Sequence, residues 1–143
     1  MDTSLTVAPM RSGLHYYLEQ QFNSFHNFPI ETDLDNLNAD VAILGIPFGD
    51  PYSMGEASND QAFAPTHIRR HCGRALRGLD RYDFDIGGTL LDGRDIKVVD
   101  CGDVIGIAKD VAGNHARSEA AVKKILAAGA LPIILGGDHA IPI

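Results

Sequence analysis

Three short apolar runs alternate with polar segments along this chain, and they predict three β-strands. The runs lie at 41–47, 96–100 and 131–135, with the sequences VAILGIP, IKVVD and LPIIL. The first run is continuous and is halted by a glycine and a proline, which is typical of a strand buried on both faces of a parallel sheet. We expect the second strand to end at 101–103, where the sequence is CGD.

Two helical patterns lie between these strands. A helix that begins at Pro65 fits the first gap, because proline lacks the N–H that a first helical turn would leave unbonded. This helix would present Ile68 and Cys72 on one face. A second helix is predicted from Asn114, a favourable N-cap residue, to Gly129, the expected C-terminal stop. The order strand–helix–strand–helix–strand needs two crossovers, which predicts a mostly parallel sheet with helices on its faces.

The segments outside this pattern are less regular. Residues 1–39 lack sustained periodicity, and we interpret them as a helical lead-in or as an arm against a neighbouring subunit. The α/β pattern occupies 40–143. Residues 73–95 form a long polar connection, which could contain an edge hairpin or carry function.

Polar clusters follow all three predicted strands, at 47–60, 100–103 and 136–139. The carboxyl ends of parallel strands meet at one edge of a sheet, and ligands of open α/β sheets bind beyond that edge. The sequence therefore predicts a functional site where these clusters converge.

The composition is that of one ordinary globular domain, since 45% of the 143 residues are apolar and 22% are charged. The formal charge is -7, from 19 acids against 12 bases, and without a basic run we expect no nucleic-acid partner. The start lacks the pattern of a signal peptide, and no apolar stretch approaches the ~20 residues that span a bilayer. We therefore predict a cytoplasmic protein with no membrane partner, in which Cys72 and Cys101 are reduced thiols.

His139 is the main candidate for chemistry. It follows two glycines directly after the third predicted strand, and neutral imidazole is the commonest side-chain metal ligand. Asp138 or Asp103 could orient the ring, as such ligands usually require. The alternative is an ordinary strand-to-helix turn in which the acid is a cap and the histidine is a surface residue.

A second histidine pair lies on the first predicted helix. His67 and His71 have the i, i+4 spacing that can hold a metal, but Arg69 and Arg70 lie between them. Because no acid is near in the sequence, we interpret this face as solvated or as the edge of the core. The acid at Asp103 has a similar alternative, as a cap in a turn.

Four segments resemble the ureohydrolase family of agmatinase, arginase and guanidinobutyrase. The last, LPIILGGDHAIPI, resembles the family's GGDHS signature, and GIPFGDPYSMG resembles its G-x-P loop. In addition, APTHIRR resembles the GP-x-x-IR helix start and VVDCGDV resembles the D-x-GD strand. The similarity covers 40–143, which we identify as the N-terminal part of a ureohydrolase-like α/β domain.

The resemblance implies an α/β fold with three layers, α/β/α, and a mostly parallel sheet (arginase/deacetylase-like), here incomplete. It also implies two Mn²⁺ ions at the carboxyl edge, one of them bound by His139. A hydroxide bridging the two ions would attack a guanidino compound and release urea and an amine. The implied assembly is a homo-oligomer, either a trimer or a hexamer.

The chain departs from the family pattern at two places that bear on the substrate. Residues 58–62 are SNDQA where the family has RPGAR, and Ala140 replaces a serine. These departures make the substrate-facing loop unusual, so the resemblance does not assign agmatine itself, and we expect a guanidino substrate that is agmatine or a related linear amidine. The family's D-x-H-x-D and D-x-D ligand motifs lie farther downstream, so we expect this chain to supply part of the site and to be inactive alone. The alternative is a non-catalytic truncated relative that acts as an oligomerisation or regulatory module.

Overall fold

The computed structural model describes residues 16–17, 24–49, 60–72, 81–137 and 141. Within these residues, two α-helices accompany a four-stranded sheet. The strands are β1 (Tyr16–Tyr17), β2 (Val41–Ile46), β3 (Val98–Val104) and β4 (Leu131–Gly136), and the helices are α1 (Ala64–Cys72) and α2 (Val111–Ala127).

Strand β2 is central and pairs in parallel with both β3 and β4, while β1 pairs antiparallel with the outer side of β3. The three strands predicted from the apolar runs are thus present and form the mostly parallel sheet that the two crossovers require. Neither helix in the described part of the chain is long and apolar enough to cross a bilayer.

The two faces of β2 pack against different layers, because side chains alternate along a strand. On one face, Leu44 joins a core cluster that includes Ile125 of α2. On the opposite face, Ile43 packs with Leu135, and α1 lies on this side against β4. Helical layers therefore cover both faces of the sheet, which confirms the predicted three-layer α/β/α class.

Helix α1 buries a different face from the predicted one. Arg69 is 1% exposed, whereas Ile68 is 38% exposed. A 3₁₀ turn, Asp60–Phe63, leads into the helix, so the chain is already helical before Pro65. Ile68 and Cys72 lie one helical turn apart, as expected, but the most buried side chain of the helix is Arg69, because an ion pair with acids of β3 orients the helix.

Helix α2 begins one turn earlier than predicted. Asp110, and not Asn114, is the N-cap residue, and its Oδ1 accepts the N–H of Gly113 at 3.1 Å. Asn114 instead holds the preceding loop, because its amide bonds both the N–H and the carbonyl oxygen of Ile107, at 2.8 and 2.9 Å. The predicted end of the helix is confirmed, since Gly129 has φ +80° directly after the C-cap Ala128.

Strand β3 continues through the glycine that was expected to end it. Gly102 has φ +76°, and the register between β2 and β3 shifts between Ile43 and Gly45. A β-bulge accommodates such a residue without ending the strand, and it re-aims the side chain that follows. The strand therefore carries Asp103 to the edge of the sheet.

Between β1 and β2, the described part of the predicted lead-in forms two 3₁₀ turns, Phe25–Asn27 and Leu34–Asn36. Leu34 and Leu37 are buried in the core beside α2. In the polar connection before β3, one antiparallel bridge joins Asp83 to Gly88 at the place where an edge hairpin was considered.

Candidate functional site

The carboxyl ends of the parallel strands meet at one edge of the sheet. Ile46 of β2 is paired with Gly136 of β4, and Gly45 is paired with Asp103 of β3. The predicted convergence of the strand-end clusters is thus confirmed for their described parts. Asp138 and His139 lie outside the described residues, so the assignment of His139 as a metal ligand stays a prediction.

A buried ion pair between α1 and β3 dominates this edge. The guanidinium of Arg69 donates from Nε to Oδ2 of Asp100 at 2.8 Å and from Nη2 to Oδ1 at 2.8 Å. Its Nη1 donates to Oδ1 of Asp103 at 2.5 Å, and Nη2 also reaches the carbonyl oxygen of Gly102 at 3.1 Å. The side chain of Arg69 in α1 therefore binds three residues of β3, namely Asp100, Gly102 and Asp103. Gly102 is the residue at the bulge.

The carboxylate of Asp100 is fully enclosed and has further donors. It is 0% exposed, and besides Arg69 it accepts the backbone N–H of Phe25 at 2.8 Å and that of Gly102 at 2.9 Å. A buried charge is tolerated when it is paired and hydrogen-bonded in this way. Asp100 thereby ties the turn at Phe25 to both α1 and β3.

The environment shifts the pKa values of this group of side chains. Burial raises the pKa of Asp103, and the charge and hydrogen bond of Arg69 only partly offset that effect. For Arg69, burial alone would lower the pKa, but the hydrogen bond to Asp100 and the charges of both acids outweigh it, so the pKa is raised. Arg69 therefore stays protonated across the physiological range.

The buried role of Arg69 differs from the solvated or core-edge face that the helical spacing predicted for this helix. A signal was present, because Asp100 ends the run IKVVD, and an acid inside a buried strand requires a cationic or hydrogen-bonding partner. The APTHIRR and VVDCGDV segments together contain all three charged residues of the group. The structure shows that these two motifs are physical partners.

Two glycines allow the elements at this edge to approach closely. A Cβ atom added at Gly45 would overlap Oδ1 of Asp103 and lie 3.0 Å from Cβ of Pro65. A Cβ atom at Gly137 would overlap the Cβ of Gln61 and lie 2.7 Å from its carbonyl oxygen. The absence of both side chains thus lets α1 and the preceding 3₁₀ turn lie directly on the strand ends.

A cavity of about 400 Å³ opens beside Asp103 at the same edge. Residues of β3, α1 and the loops after β2 and β3 line it, among them Pro47, Phe63, Thr66, His67, Asp103 and Gly106.

The rings of His67 and His71 are near parallel, with centroids 6.5 Å apart, and both residues are exposed. Their predicted position on a solvated face is confirmed.

The described residues do not form a metal centre by themselves. Within the described ranges, no three His, Cys, Asp or Glu side chains come together in a geometry that could hold an ion. Asp100 and Asp103 both bind the Arg69 cation. Because His139 lies outside the described residues, the role of Asp103 or Asp138 in orienting it stays a prediction. What the described residues provide is a hydrogen-bonded, charged group at the carboxyl edge of the sheet.

Both cysteines are free thiols, as predicted. Cys101 is buried in β3, where burial and then the charge of Asp100 raise the pKa of its thiol to about 12. Cys72 ends α1 and accepts the N–H of His26 at 3.2 Å. The thiol of Cys101 is therefore a packing group and not a nucleophile.

The mostly parallel sheet with helical layers on both faces and a polar carboxyl edge defines an α/β protein of the three-layer α/β/α class. A profile of the arginase family matches residues 39–143. The chain belongs to this family. The match includes all four segments that suggested the resemblance.

Individual relatives and one solved structure agree with this placement. The chain is 35% identical over 96 residues to a formimidoylglutamase of Halalkalibacterium halodurans, covering 65% of this chain and 28% of the relative. It is 31% identical over 121 residues to an agmatinase of Photorhabdus laumondii, covering 83% of this chain and 36% of the relative. The crystal structure of formimidoylglutamase from Bacillus subtilis shares the fold, with a TM-score of 0.55 at 22% identity over 92% of this chain and 39% of that one.

The chain spans about a third of the length of these relatives, between 28% and 39%. Family membership and fold follow directly from the matches.

Proposed function

We propose that the protein hydrolyses a carbon–nitrogen bond of a linear amidine, such as a guanidino or formimidoyl compound, and that this chain supplies part of the site. The observation that carries the proposal is the arginase-family match over 39–143, which includes the sequence Gly-Gly-Asp-His at 136–139, where β4 ends. The described edge supports it, since Arg69 joins the acids of β3 at the carboxyl ends of the strands, where ligands of open α/β sheets bind.

The chain's contribution to metal binding would be His139, with Mn²⁺ as the proposed ion. Divalent metal ions in such sites supply a nucleophile at neutral pH and stabilise developing negative charge. His139 would be a ligand of the metal ion. Arg69 would bind the carboxylates of Asp100 and Asp103, so that both acids point toward the guanidinium. These acids are then kept from competing for the metal.

The substrate class follows from what the relatives have in common. Their names concern a formimidoyl compound in one case and agmatine in the other. Both kinds of molecule contain a carbon bound to two nitrogens in an open chain, which is a linear amidine. Agmatine is the guanidino candidate, and the segment SNDQA at 58–62 is where specificity would differ from that of agmatinases.

The experiment uses the protein expressed from its full coding region together with any polypeptide that copurifies with it, because this chain is expected to supply only part of the site. The preparation is stripped of metal with a chelator and reloaded with Mn²⁺. Agmatine, arginine, 4-guanidinobutyrate and N-formimidoylglutamate are offered in turn, and substrate loss, urea and ammonia are measured. We expect metal-dependent consumption of at least one compound. If none is consumed by the reloaded protein, the proposal is wrong.

A histidine pair of variants links the activity to the predicted ligand. His139→Ala should lower metal-dependent turnover by more than about a hundredfold and reduce the amount of bound manganese, because the loss of a ligand weakens metal binding. His71→Ala is the matched control, since His71 is an exposed histidine on α1. It should leave both turnover and manganese content unchanged. Equal effects of the two variants would contradict the role of His139.

A second candidate function, an oligomerisation or regulatory module, is favoured by one observation. The apolar residues Leu131 and Ile133 of the edge strand β4 are 63% and 42% exposed. Native mass spectrometry with metal analysis distinguishes the two candidates. A homo-oligomer, such as the trimer or hexamer expected from the family resemblance, that binds no manganese and consumes no amidine would support the module.

A further inference from the structure

A hairpin at 82–88, in the polar connection before β3, has apolar residues in its turn. Two backbone bonds between Asp83 and Gly88 close it, at 2.7 and 3.2 Å, and the N–H of Asp85 donates to Oδ1 of Asp83 at 2.8 Å. The turn contains Phe84 and Ile86, although turns are usually built from glycine, proline, asparagine, aspartate and serine. The backbone conformation of the hairpin therefore does not explain its apolar residues.

The apolar side chains of the hairpin point away from the rest of the chain. Phe84 is 91% exposed, and Tyr82 and Ile86 are 60% and 59% exposed. The rings of Tyr82 and Phe84 lie edge to face with centroids 5.2 Å apart, so the two form one apolar surface. Exposed apolar surface of this kind marks sites of protein contact. Because hydrogen bonds already hold the hairpin, a partner that covers it would order little additional chain.

A surface that fits the hairpin lies on the outer side of α1 and of the 3₁₀ turn before it. Phe63, Thr66, His67 and Arg70 recur at helical spacing and line the cavity of about 400 Å³ beside Asp103. Phe63 is 58% exposed, and its ring lies edge to face against that of His67 with centroids 6.5 Å apart. A cavity of this size can accommodate a phenyl ring, which prefers edge-to-face contact with another aromatic ring.

The charges of the two surfaces are opposite. The hairpin carries Asp83 and Asp85, both exposed, whereas α1 contains no acid and exposes Arg70. The one carboxylate that lines the cavity among the described residues, that of Asp103, is already paired with Arg69. Complementary charges favour contact and like charges oppose it. Each surface therefore fits the other better than it fits a second copy of itself.

We propose that the hairpin binds a second copy of this chain, with Phe84 of one copy inserted into the cavity beside α1 of the next. The two copies use different surfaces, so the contact is head-to-tail, and such contacts form a ring where the rotation between copies closes. In a ring, every copy has both its hairpin and its cavity covered. The contact is independent of the proposed function, because it concerns assembly and not turnover.

The size of the contact predicts that one copy of it is weak. A buried aromatic side chain covers about 150–250 Å², so Phe84 and Tyr82 together bury roughly 300–500 Å² of the hairpin. A standard interface buries about 800 Å² on each partner. A ring would be more stable than an open pair, because every copy in it makes two contacts instead of one.

Sedimentation velocity over a range of concentrations tests the contact, with the protein expressed from its full coding region. The unmodified protein should form an oligomer of defined mass. Phe84→Ser and Phe63→Ser should each weaken self-association by at least about tenfold, because they remove the anchor and the wall of its cavity. Both side chains are mostly exposed, so circular dichroism should show the same fold in both variants.

The matched control is Leu126→Ser, which removes an apolar side chain of α2 that is 56% exposed. This variant should have the same oligomer mass and the same concentration dependence as the unmodified protein. An effect equal to that of Phe84→Ser would mean that any loss of exposed apolar surface weakens the oligomer, and it would overturn the proposal.

Mixing the two variants tests the head-to-tail arrangement. A copy with Phe63→Ser keeps an intact hairpin and a copy with Phe84→Ser keeps an intact cavity, so one intact contact can form between them. At high protein concentration the mixture should contain dimers with one copy of each variant, whereas each variant alone has a lower mass. If the contact joined hairpin to hairpin, Phe63→Ser alone would associate normally, which would contradict the proposal.

Three further results would overturn the proposal. The first is an unmodified protein that is monomeric at every concentration, and the second is an oligomer that Phe84→Ser leaves intact. The third is a different polypeptide on the hairpin, which would copurify with the unmodified protein and be lost from Phe84→Ser. None of these results bears on amidine hydrolysis, which the turnover measurement tests separately.

Discussion

Replacing Arg69 by methionine is the sharpest test of how this edge is held together. The guanidinium makes three charge-assisted bonds to Asp100 and Asp103 and one bond to the Gly102 carbonyl oxygen. Methionine fills most of the same volume but leaves the carboxylate of Asp100, which is 0% exposed, without a cation. The variant therefore isolates the electrostatic role of the side chain from its packing.

The expected loss follows from the burial of both partners. Removing one member of a buried ion pair costs about 3–5 kcal/mol, because the remaining charge stays desolvated. The total stability of a domain is about 5–15 kcal/mol, so the loss is a large fraction of it. With a urea dependence of about 2 kcal/mol per molar, the unfolding midpoint should fall by roughly 2 M.

Urea unfolding followed by far-ultraviolet circular dichroism measures this loss. Arg94→Met is the matched control, because the Arg94–Asp92 pair is 3.6 Å long with both side chains mostly exposed. Arg94→Met should lower the free energy of unfolding by less than about 0.5 kcal/mol, because exposed ion pairs contribute little to stability. Arg69→Lys keeps the positive charge but not the forked geometry of the guanidinium, so its loss of stability should lie between those of Arg69→Met and Arg94→Met. A loss below about 1 kcal/mol for Arg69→Met would refute the reasoning.

Two further predictions concern the titratable groups of β3. Because burial raises the pKa of Asp103, its contribution to stability is present below the ordinary aspartate pKa and is lost as the pH rises through the raised value. The free energy of unfolding of the unmodified protein should therefore rise relative to that of Asp103→Asn as the pH falls from about 7 to about 4. A difference between the two proteins that stays constant over this pH range would contradict the prediction. The thiol of Cys101, with a pKa of about 12, should not react with a disulfide reagent near neutral pH until the protein unfolds. Two fast-reacting thiols in the native protein, instead of Cys72 alone, would show that Cys101 is accessible.

The strands and their order could be predicted because the signals for them are local. A continuous apolar run such as that of β2 is compatible with few positions other than the centre of a parallel sheet. The stop at Gly129 is likewise local, since a left-handed residue after a helix strongly favours glycine. The convergence of the strand ends then follows from the parallel topology alone.

The errors arose where the deciding partner is distant in the sequence. Arg69 is 31 residues from Asp100, so no helical periodicity within α1 could indicate that the arginine is buried. The start of α2 was misplaced for a different reason. Asp110 and Asn114 are both favourable N-cap residues one turn apart, and only the bonds of Asn114 to Ile107 decide between them.

The candidate site was predictable as a location and only partly as a set of residues. The edge follows from the fold, and the Gly-Gly-Asp-His turn follows from the family resemblance. His139 remains a prediction that the histidine variants test.

The charges at the edge connect the stability test to the proposed function. Arg69 carries one positive charge against two carboxylates, so the group keeps one surplus negative charge when Asp100 and Asp103 are both ionised. Within the Debye length of about 8 Å, such a charge favours cations, whether a metal ion or an amidinium. Arg69→Met would double the surplus, whereas Arg69→Met combined with Asp100→Asn would restore it to one. If the group of Arg69, Asp100 and Asp103 acts only through its net charge, the double variant should bind guanidinium like the unmodified protein. If the forked geometry of Arg69 positions the strand ends, the double variant should recover stability but not binding.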